Sequence, residues 1–113
     1  MSCQKGVSHF ENESKDPGET IPLVFDFGPG LATGETLTSK AIVVTVVGGV
    51  DGSPTAILAG GDQFDATNTK VYVPVTGGLD GVDYNIKVTC ATTNPKKVLV
   101  LAGVLEVRSV VKE

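Results

Sequence analysis

Hydrophobic and polar residues alternate along much of this chain of 113 residues. Successive side chains of a β-strand point to opposite faces of its sheet, so this alternation predicts strands that bury one face in a core. The segment Val82–Thr92 alternates best, with Tyr84, Ile86 and Val88 on one face and polar side chains between them. Clusters of Gly and Pro separate such segments, and no helical period continues beyond one turn. The pattern therefore predicts an all-β protein.

About seven strands follow from this pattern. They are Thr20–Phe27, Glu35–Val47, Thr55–Ala59, a weak strand around Phe64, Lys70–Thr76, Val82–Thr92 and Lys96–Val111. Pro22 cannot donate a hydrogen bond to a neighbouring strand, which predicts an edge or initiating position for the first of them. Ala41–Val47 is apolar on both faces, and this predicts a central strand that is covered on both sides.

The last predicted strand, Lys96–Val111, has two further features. Gly103 interrupts it, which predicts a bulge or bend at that position. Apolar side chains occupy both of its faces, and Leu105 and Val107 are among them. Two interpretations stay open: part of the second face contacts a partner subunit, with these two residues as interface candidates, or the strand is central and overhung by loops.

Composition and one local motif refine the fold class. Val, Ile and Thr together account for 34 of the 113 residues, and β-branched side chains fit a pleated sheet better than a helix. The segment Gly81–Val88 has the G-x-x-Y-x-[VI] form of a tyrosine corner, in which Tyr84 near the start of a strand hydrogen-bonds to upstream backbone. The number and spacing of the strands, with this motif, predict an antiparallel β-sandwich similar to immunoglobulin and fibronectin type III domains.

Residues 1–18 differ from the rest of the chain. They are charged and polar, they have no period, and they end in an Asp-Pro-Gly turn signal. We interpret them as an N-terminal arm in front of a β-sandwich domain at residues 19–113. Two readings of the arm stay open: it is a frayed terminus, or it becomes ordered on a neighbouring subunit through Val7, His9 and Phe10.

Charge and hydropathy count against two classes of partner. The net charge is −4, and the basic residues form no cluster that would displace counterions from nucleic-acid phosphates. The apolar stretches Ala41–Val47 and Val98–Leu105 are far shorter than the ~20 residues that a membrane-spanning helix needs. The N-terminus has no hydrophobic segment of a secretory signal, and two cysteines are too few for a disulfide framework. We expect folding in a reducing cytoplasm, with neither nucleic acid nor a membrane as partner.

Candidate catalytic and metal-binding residues are few. The single histidine, His9, and Cys3 both lie in the arm, where a catalytic site could not be preorganised, and they supply two of the four ligands of structural zinc. Cys90 continues the buried face of its strand, which predicts a core residue, although an intersubunit disulfide stays open for either cysteine. Asp51 and Asp80 each precede a glycine, and turn formation explains them without calcium. We expect no enzymatic activity, no metal and no cofactor.

An ordered series of motifs resembles a known family. The motifs are, in chain order, Lys15–Glu19, Phe25–Phe27, Gly30–Leu37, Gly81–Val88, Cys90–Thr93 and the charged residues Glu106 and Arg108 of the last strand. In this order they resemble the small virion proteins of tailed bacteriophages that are described as fibre–tail adaptors. The chain departs from the family pattern at Phe27, where the family usually has Trp.

The resemblance implies a structural role and no catalytic residues. It implies a virion protein, assembled in the host cytoplasm, that joins the tail tube or neck connector to the tail fibres. Its partners would be other virion proteins, and the copies would form a homo-oligomeric ring in the particle. Two alternatives stay open: a capsid decoration protein, with the same fold and arm, and a carbohydrate- or surface-binding module, which would need exposed aromatic side chains.

Overall fold

A computed structural model describes residues 8–9 and 12–109, which form eight β-strands and two short 3-10 turns. The strands are β1 (Ser8–His9), β2 (Asn12–Lys15), β3 (Thr20–Asp26), β4 (Leu37–Gly48), β5 (Gln63–Phe64), β6 (Lys70–Thr76), β7 (Val82–Thr92) and β8 (Val98–Val107), and the turns are Gly28–Gly30 and Pro54–Ile57. No α-helix occurs in this part of the chain, so the predicted all-β class is confirmed.

The strands form two four-stranded sheets. Sheet I has the order β1-β3-β6-β5, and sheet II has the order β2-β8-β7-β4. The described neighbours are all antiparallel except β2, which runs parallel to β8. Because β1 and β2 follow each other in the chain but lie in different sheets, the chain changes from sheet I to sheet II between residues 9 and 12.

The buried side chains of both sheets form one hydrophobic cluster. Its largest fully buried apolar and aromatic members are Tyr84, Phe25, Phe27, Leu37, Ile57, Ile86 and Leu105. Alternate residues of β6 and β7 enter this cluster, as their sequence patterns predict. Burial of one such side chain contributes about 1.5–3 kcal/mol, so the shared cluster is the main attraction between the two sheets.

Strand β4 lies at an edge of sheet II and not at its centre. Among the described strands β7 is its only neighbour. Its outward side chains are exposed, Val43 to 48 % and Val47 to 60 %. The prediction of a central, doubly covered strand is therefore wrong, because an apolar pattern on both faces does not reveal whether the second face is covered by the same chain.

The bulge predicted at Gly103 is also wrong. The register between β7 and β8 continues without a shift, and Gly103 lies opposite Ile86. Gly103 is buried on the inward face of β8, so the missing side chain affects packing in the core and not the path of the backbone. The irregularities of sheet II occur in β4, between Leu37 and Ser39 and between Val46 and Gly48.

The short strand predicted at Thr55–Ala59 is replaced by the 3-10 turn Pro54–Ile57. Proline has a fixed φ and no N–H, both of which suit the first turn of a helix, so the residue that starts the segment favours the turn. The turn buries Ile57, and Leu58 forms an isolated bridge to Val75.

The segment predicted as an arm contains both β1 and β2. Strand β2 is polar, yet it adds four residues to the edge of sheet II through its backbone, which does not require apolar side chains. Of the three predicted anchors of the arm, Val7 and Phe10 lie outside the described residues, and His9 is paired with Phe25 through β1. The division of the chain at residue 18 remains a proposal.

Candidate functional site

The other four predicted site residues lie side by side in sheet II. Tyr84 is on β7, opposite Leu105 on β8, and Gly103 and Val107 flank Leu105 on the same inward face. Tyr84, Leu105 and Val107 are all 0 % exposed. The hypothesis that Leu105 and Val107 contact a partner is therefore wrong, because both pack into the core of their own chain.

The hydroxyl of Tyr84 forms two hydrogen bonds. It accepts one from the backbone N–H of Leu79 at 3.0 Å, a contact of the kind that the tyrosine-corner motif predicts. It also donates to a carboxylate oxygen of Asp51 at 2.7 Å. The sequence motif contains no signal for Asp51, because this residue lies 33 positions from Tyr84 in the chain.

This pair of hydrogen bonds changes both ionisable groups. The bond from Tyr84, with one from the backbone N–H of Ser53, holds the pKa of Asp51 below its usual value. Burial, reinforced by the Asp51 carboxylate, raises the pKa of the Tyr84 hydroxyl. Tyr84 therefore stays protonated and connects the loop after β4 to the loop before β7.

Lys15 connects the end of β2 to the loop before β7, which also contains Leu79. Its side chain is buried, and its ammonium donates to the carbonyl oxygens of Gly77 at 2.6 Å and Asp16 at 2.8 Å. Burial lowers the pKa of this amine, although the carboxylates of Glu19 and Asp16 act in the opposite direction. The N-terminal strand thus ends in a buried hydrogen-bonded cation, which no periodicity in the sequence indicated.

At the end of the molecule opposite Tyr84, Glu35 connects the loop before β4 to the loop between β7 and β8. Its carboxylate accepts hydrogen bonds from the backbone N–H of Ala32, the hydroxyl of Thr92 and the ammonium of Lys97, the last at 2.9 Å. These bonds, the one from Ala32 first, lower the pKa of Glu35 to about 2. Both ends of the molecule are therefore held by a carboxylate that joins loops distant in the sequence.

The outer face of sheet II points away from the shared core. We use this name for twelve residues, which are Ser39, Ala41, Val43 and Thr45 of β4, Asn85, Lys87, Thr89 and Ala91 of β7, and Val98, Val100, Ala102 and Val104 of β8. The register aligns Val43, Lys87 and Ala102 in one row across the three strands. The neighbouring row contains Ala41, Thr89 and Val100.

The outer face mixes exposed valines on β4 and β8 with the polar residues Asn85, Lys87 and Thr89 on the central strand β7. Val98 is 63 % exposed, Val100 51 % and Val43 48 %. Lys87 is the only charged residue of the twelve, no ion pair joins it to another described residue, and Asp83 and Glu106 form the next outward row. The side chains on this face can pack against another surface, and they provide one cation but no nucleophile or general base.

The remaining chemistry of the described residues is sparse. These residues contain no group of three or more His, Cys, Asp or Glu that could hold a metal ion. Cys90 is buried, and burial raises the pKa of its thiol to about 11. In the described part of the chain, no helix has the length and apolar character to cross a bilayer.

Comparison with known proteins gives one result. A family model described as podophage GP4 fiber-tail adaptor protein gp77 matches residues 15–100. The match begins at the buried Lys15, ends within β8, and includes the tyrosine corner and the outer face of sheet II except for its last positions. Comparisons with curated proteins and with solved structures gave no significant match.

Proposed function

This chain belongs to the podophage fibre–tail adaptor family, and on that premise we propose that it joins the tail tube or neck connector of the virion to the tail fibres. The family match over residues 15–100 carries this proposal. Membership makes the protein a structural adaptor and a component of the virion, while the two partners it connects belong to the proposal. Assembly in the host cytoplasm is part of the same proposal.

The strand order supports an immunoglobulin-like sandwich as the fold of this adaptor. Immunoglobulin domains combine an ABED sheet with one in which strands C, F and G are adjacent. If β3 to β8 are read as strands B, C, D, E, F and G, sheet I has the order A-B-E-D and sheet II contains G-F-C. On this reading β1 and β2 are two halves of strand A, and Tyr84 lies near the start of strand F, where the tyrosine corner occurs.

We also propose that copies of the chain form a ring around the tail. Closed symmetry is the rule for homo-oligomers, and weak contacts repeated around a ring reinforce one another. The arm would contribute through Val7 and Phe10, which would pack on a neighbouring copy. Strand β1 supports this arrangement, because Ser8 pairs with Asp26 at the end of β3 and so places the start of β1 at that end of sheet I.

We assign the protein no catalytic activity. An adaptor acts by binding, and the described residues support that role. The thiol of Cys90 is protonated in the core, since its pKa is about 11 and only the thiolate is a good nucleophile.

Complementation of a phage that lacks this protein tests the adaptor function. Without the protein we expect particles that keep their tails but lack fibres, as seen by electron microscopy and by mass spectrometry of purified virions. Supplying the wild-type chain restores the fibres. Fibres that remain attached in its absence would contradict the proposal, and a chain found on the capsid shell would indicate a decoration protein instead.

A further inference from the structure

Strand β4 has an edge that no other described strand pairs with. Strand β7 occupies one side of β4, and outside that pairing no described backbone–backbone hydrogen bond involves residues 38–48. The turn Pro54–Ile57 lies beside β4, and Lys40 forms an ion pair with Asp62, but neither contact pairs with the backbone of the edge. Because alternate residues of an antiparallel strand direct their N–H and C=O groups to opposite sides, about half of these groups in β4 point away from sheet II.

The other three edge strands are protected against pairing, and β4 is not. Natural proteins protect sheet edges by keeping the edge strand short or by placing charges and prolines in it. Strands β1 and β5 have two residues each, and β2 has four polar residues that include Glu13 and Lys15. Strand β4 has twelve residues, and its segment 41–47, Ala-Ile-Val-Val-Thr-Val-Val, contains no charge and no proline. An open edge of this composition favours the addition of another strand.

The segment 41–47 is complementary to itself in the antiparallel direction. A two-fold axis perpendicular to the sheet at Val44 places residue 43 opposite residue 45 of a second copy, 42 opposite 46 and 41 opposite 47. Each pair then joins two uncharged side chains, and inward residues face inward residues. Lys40, the only charged residue of β4, lies opposite Gly48 of the second copy, so like charges do not meet.

The same pairing completes the rim of the hydrophobic core. Ile42 and Val46 are on the inward side of β4, where they pack on the core cluster but stay partly exposed. In the paired arrangement each of these side chains lies beside its counterpart from the second copy. The contact therefore covers apolar side chains as well as satisfying the backbone groups of the edge.

We propose that two copies of the free chain pair through β4 in an antiparallel two-fold dimer, which joins their second sheets into one sheet of the order β2-β8-β7-β4-β4-β7-β8-β2. Only the short, polar β2 then remains at either end of the joined sheet, so the association stops at two copies. A two-fold contact closes on itself, and it is separate from the head-to-tail contacts of the proposed ring. The inference concerns the free protein and does not rest on the adaptor function.

Analytical ultracentrifugation of the purified full chain over a series of concentrations tests this dimer. The paired segment 41–47 is much shorter than the ~20–30 residues per partner of a standard interface, so we expect a monomer–dimer equilibrium with a dissociation constant in the micromolar range.

Two double variants test the pairing of residues 43 and 45 across the two-fold axis. Val43→Glu with Thr45→Glu is the acidic variant, and Val43→Lys with Thr45→Lys is the basic variant. Each places like charges directly opposite each other twice in the dimer, and each should raise the dissociation constant about tenfold or more. An equimolar mixture of the two pairs opposite charges at both positions, so it should form a mixed dimer with a dissociation constant within about threefold of wild type.

The matched control is Asn85→Glu with Thr89→Glu. It adds two acidic side chains to the same outward side of sheet II, but on β7, which is paired on both of its edges. This control should dimerise like the wild type, and thermal melts show whether each variant is folded.

Cysteine cross-linking provides a second measurement if the charged variants fail to fold. Val43→Cys mixed with Thr45→Cys, both in a Cys3→Ser background, should form disulfide-linked dimers, because the two positions face each other across the axis. Either cysteine variant alone should form far fewer, since its two copies lie diagonally and too far apart for a disulfide.

Loss of the dimer in both charged variants and its return in their mixture would support the inference. A wild type that stays monomeric at every concentration would overturn it, and so would charged variants that dimerise like the wild type, a mixture that stays monomeric, or an absent cross-link. Loss of the dimer in the β7 control would assign the contact to the outer face of sheet II, which also overturns it. The adaptor function is decided separately, by whether fibres attach to particles that lack the protein.

Discussion

Tyr84 combines a core position with a polar connection between loops. Its ring is completely buried, while its hydroxyl contacts Leu79 and Asp51 in two different loops. The local motif was enough to predict the bond to upstream backbone, because that bond lies within a few residues of the tyrosine. The bond to Asp51 could not be predicted, because it depends on how two distant loops are placed by the fold.

Replacing Tyr84 by Phe should lower the free energy of unfolding by about 1–2 kcal/mol, because two hydrogen-bonding groups lose a buried partner. Urea denaturation monitored by circular dichroism measures the change. Tyr72→Phe is the control, since no hydrogen bond joins the Tyr72 hydroxyl to another described residue, and its effect should be close to zero. Equal stabilities of the two variants would show that the hydroxyl of Tyr84 has no structural role.

Glu35 makes stability depend on pH in the acid range. Its pKa in the folded protein is about 2, against a usual value of 4.5 for the unfolded chain. A carboxylate with a lowered folded pKa stabilises the protein above its unfolded pKa, and this contribution is lost as the pH falls through the folded pKa. We therefore expect Glu35→Gln to be less stable than wild type at pH 7, with a difference that shrinks between about pH 5 and pH 2.

Chemical denaturation at a series of pH values between 2 and 7 measures this difference. Glu13→Gln is the control, because Glu13 is exposed and no hydrogen bond joins its side chain to another described residue. It should follow the wild-type profile. A Glu35→Gln variant whose stability runs parallel to wild type over the whole range would contradict the prediction.

At the scale of single elements, alternation was a good guide to the strands of the core. Lys70–Thr76 and Val82–Thr92 have the predicted bounds, because each buries every second residue over its whole length. Strand β2 was missed for the opposite reason. Its four residues are polar, and what holds them is backbone pairing and the buried ammonium of Lys15, neither of which leaves a periodic signal.

Truncations from the N-terminus should distinguish the role of residues 2–11 from that of β2. Removing residues 2–11 should leave the melting temperature near wild type, because β2 is retained and β1 contributes only two residue pairs. It should reduce incorporation into virions, because the proposed contacts of Val7 and Phe10 are lost. Removing residues 2–15 should lower the melting temperature by about 10 °C or more, since roughly 2 kcal/mol of hydrogen bonding is lost at about 4–8 °C per kcal/mol.

Differential scanning calorimetry and complementation of the mutant phage provide the two measurements. The shorter truncation is the control for the longer one, because both lack residues 2–11. If the two proteins melt at the same temperature, β2 contributes nothing to stability. If the shorter truncation enters virions normally, residues 2–11 have no role in assembly.

At the scale of the whole molecule, the sequence allowed the fold class and the family to be predicted, but not the order of the strands. Alternation shows which residues face a core, and it contains no information about which strand lies beside which. For this reason Ala41–Val47 was placed at the centre of a sheet, although β4 lies at the edge. Leu105 and Val107 were predicted as contact residues, but both are buried on the inward face of β8. The exposed valines of this strand, Val98 and Val100, lie on its outward face.

The parallel pairing of β2 with β8 has a mechanical consequence. The chain enters β2 at Asn12 and leaves β8 at Val107, and the two strands run in the same direction. A pulling force between the two chain ends therefore slides the strands along each other and stretches all of their hydrogen bonds at once, whereas a peeling force would break them one by one. An adaptor whose two chain ends are pulled apart therefore has β2 and its last strand, β8, arranged in shear.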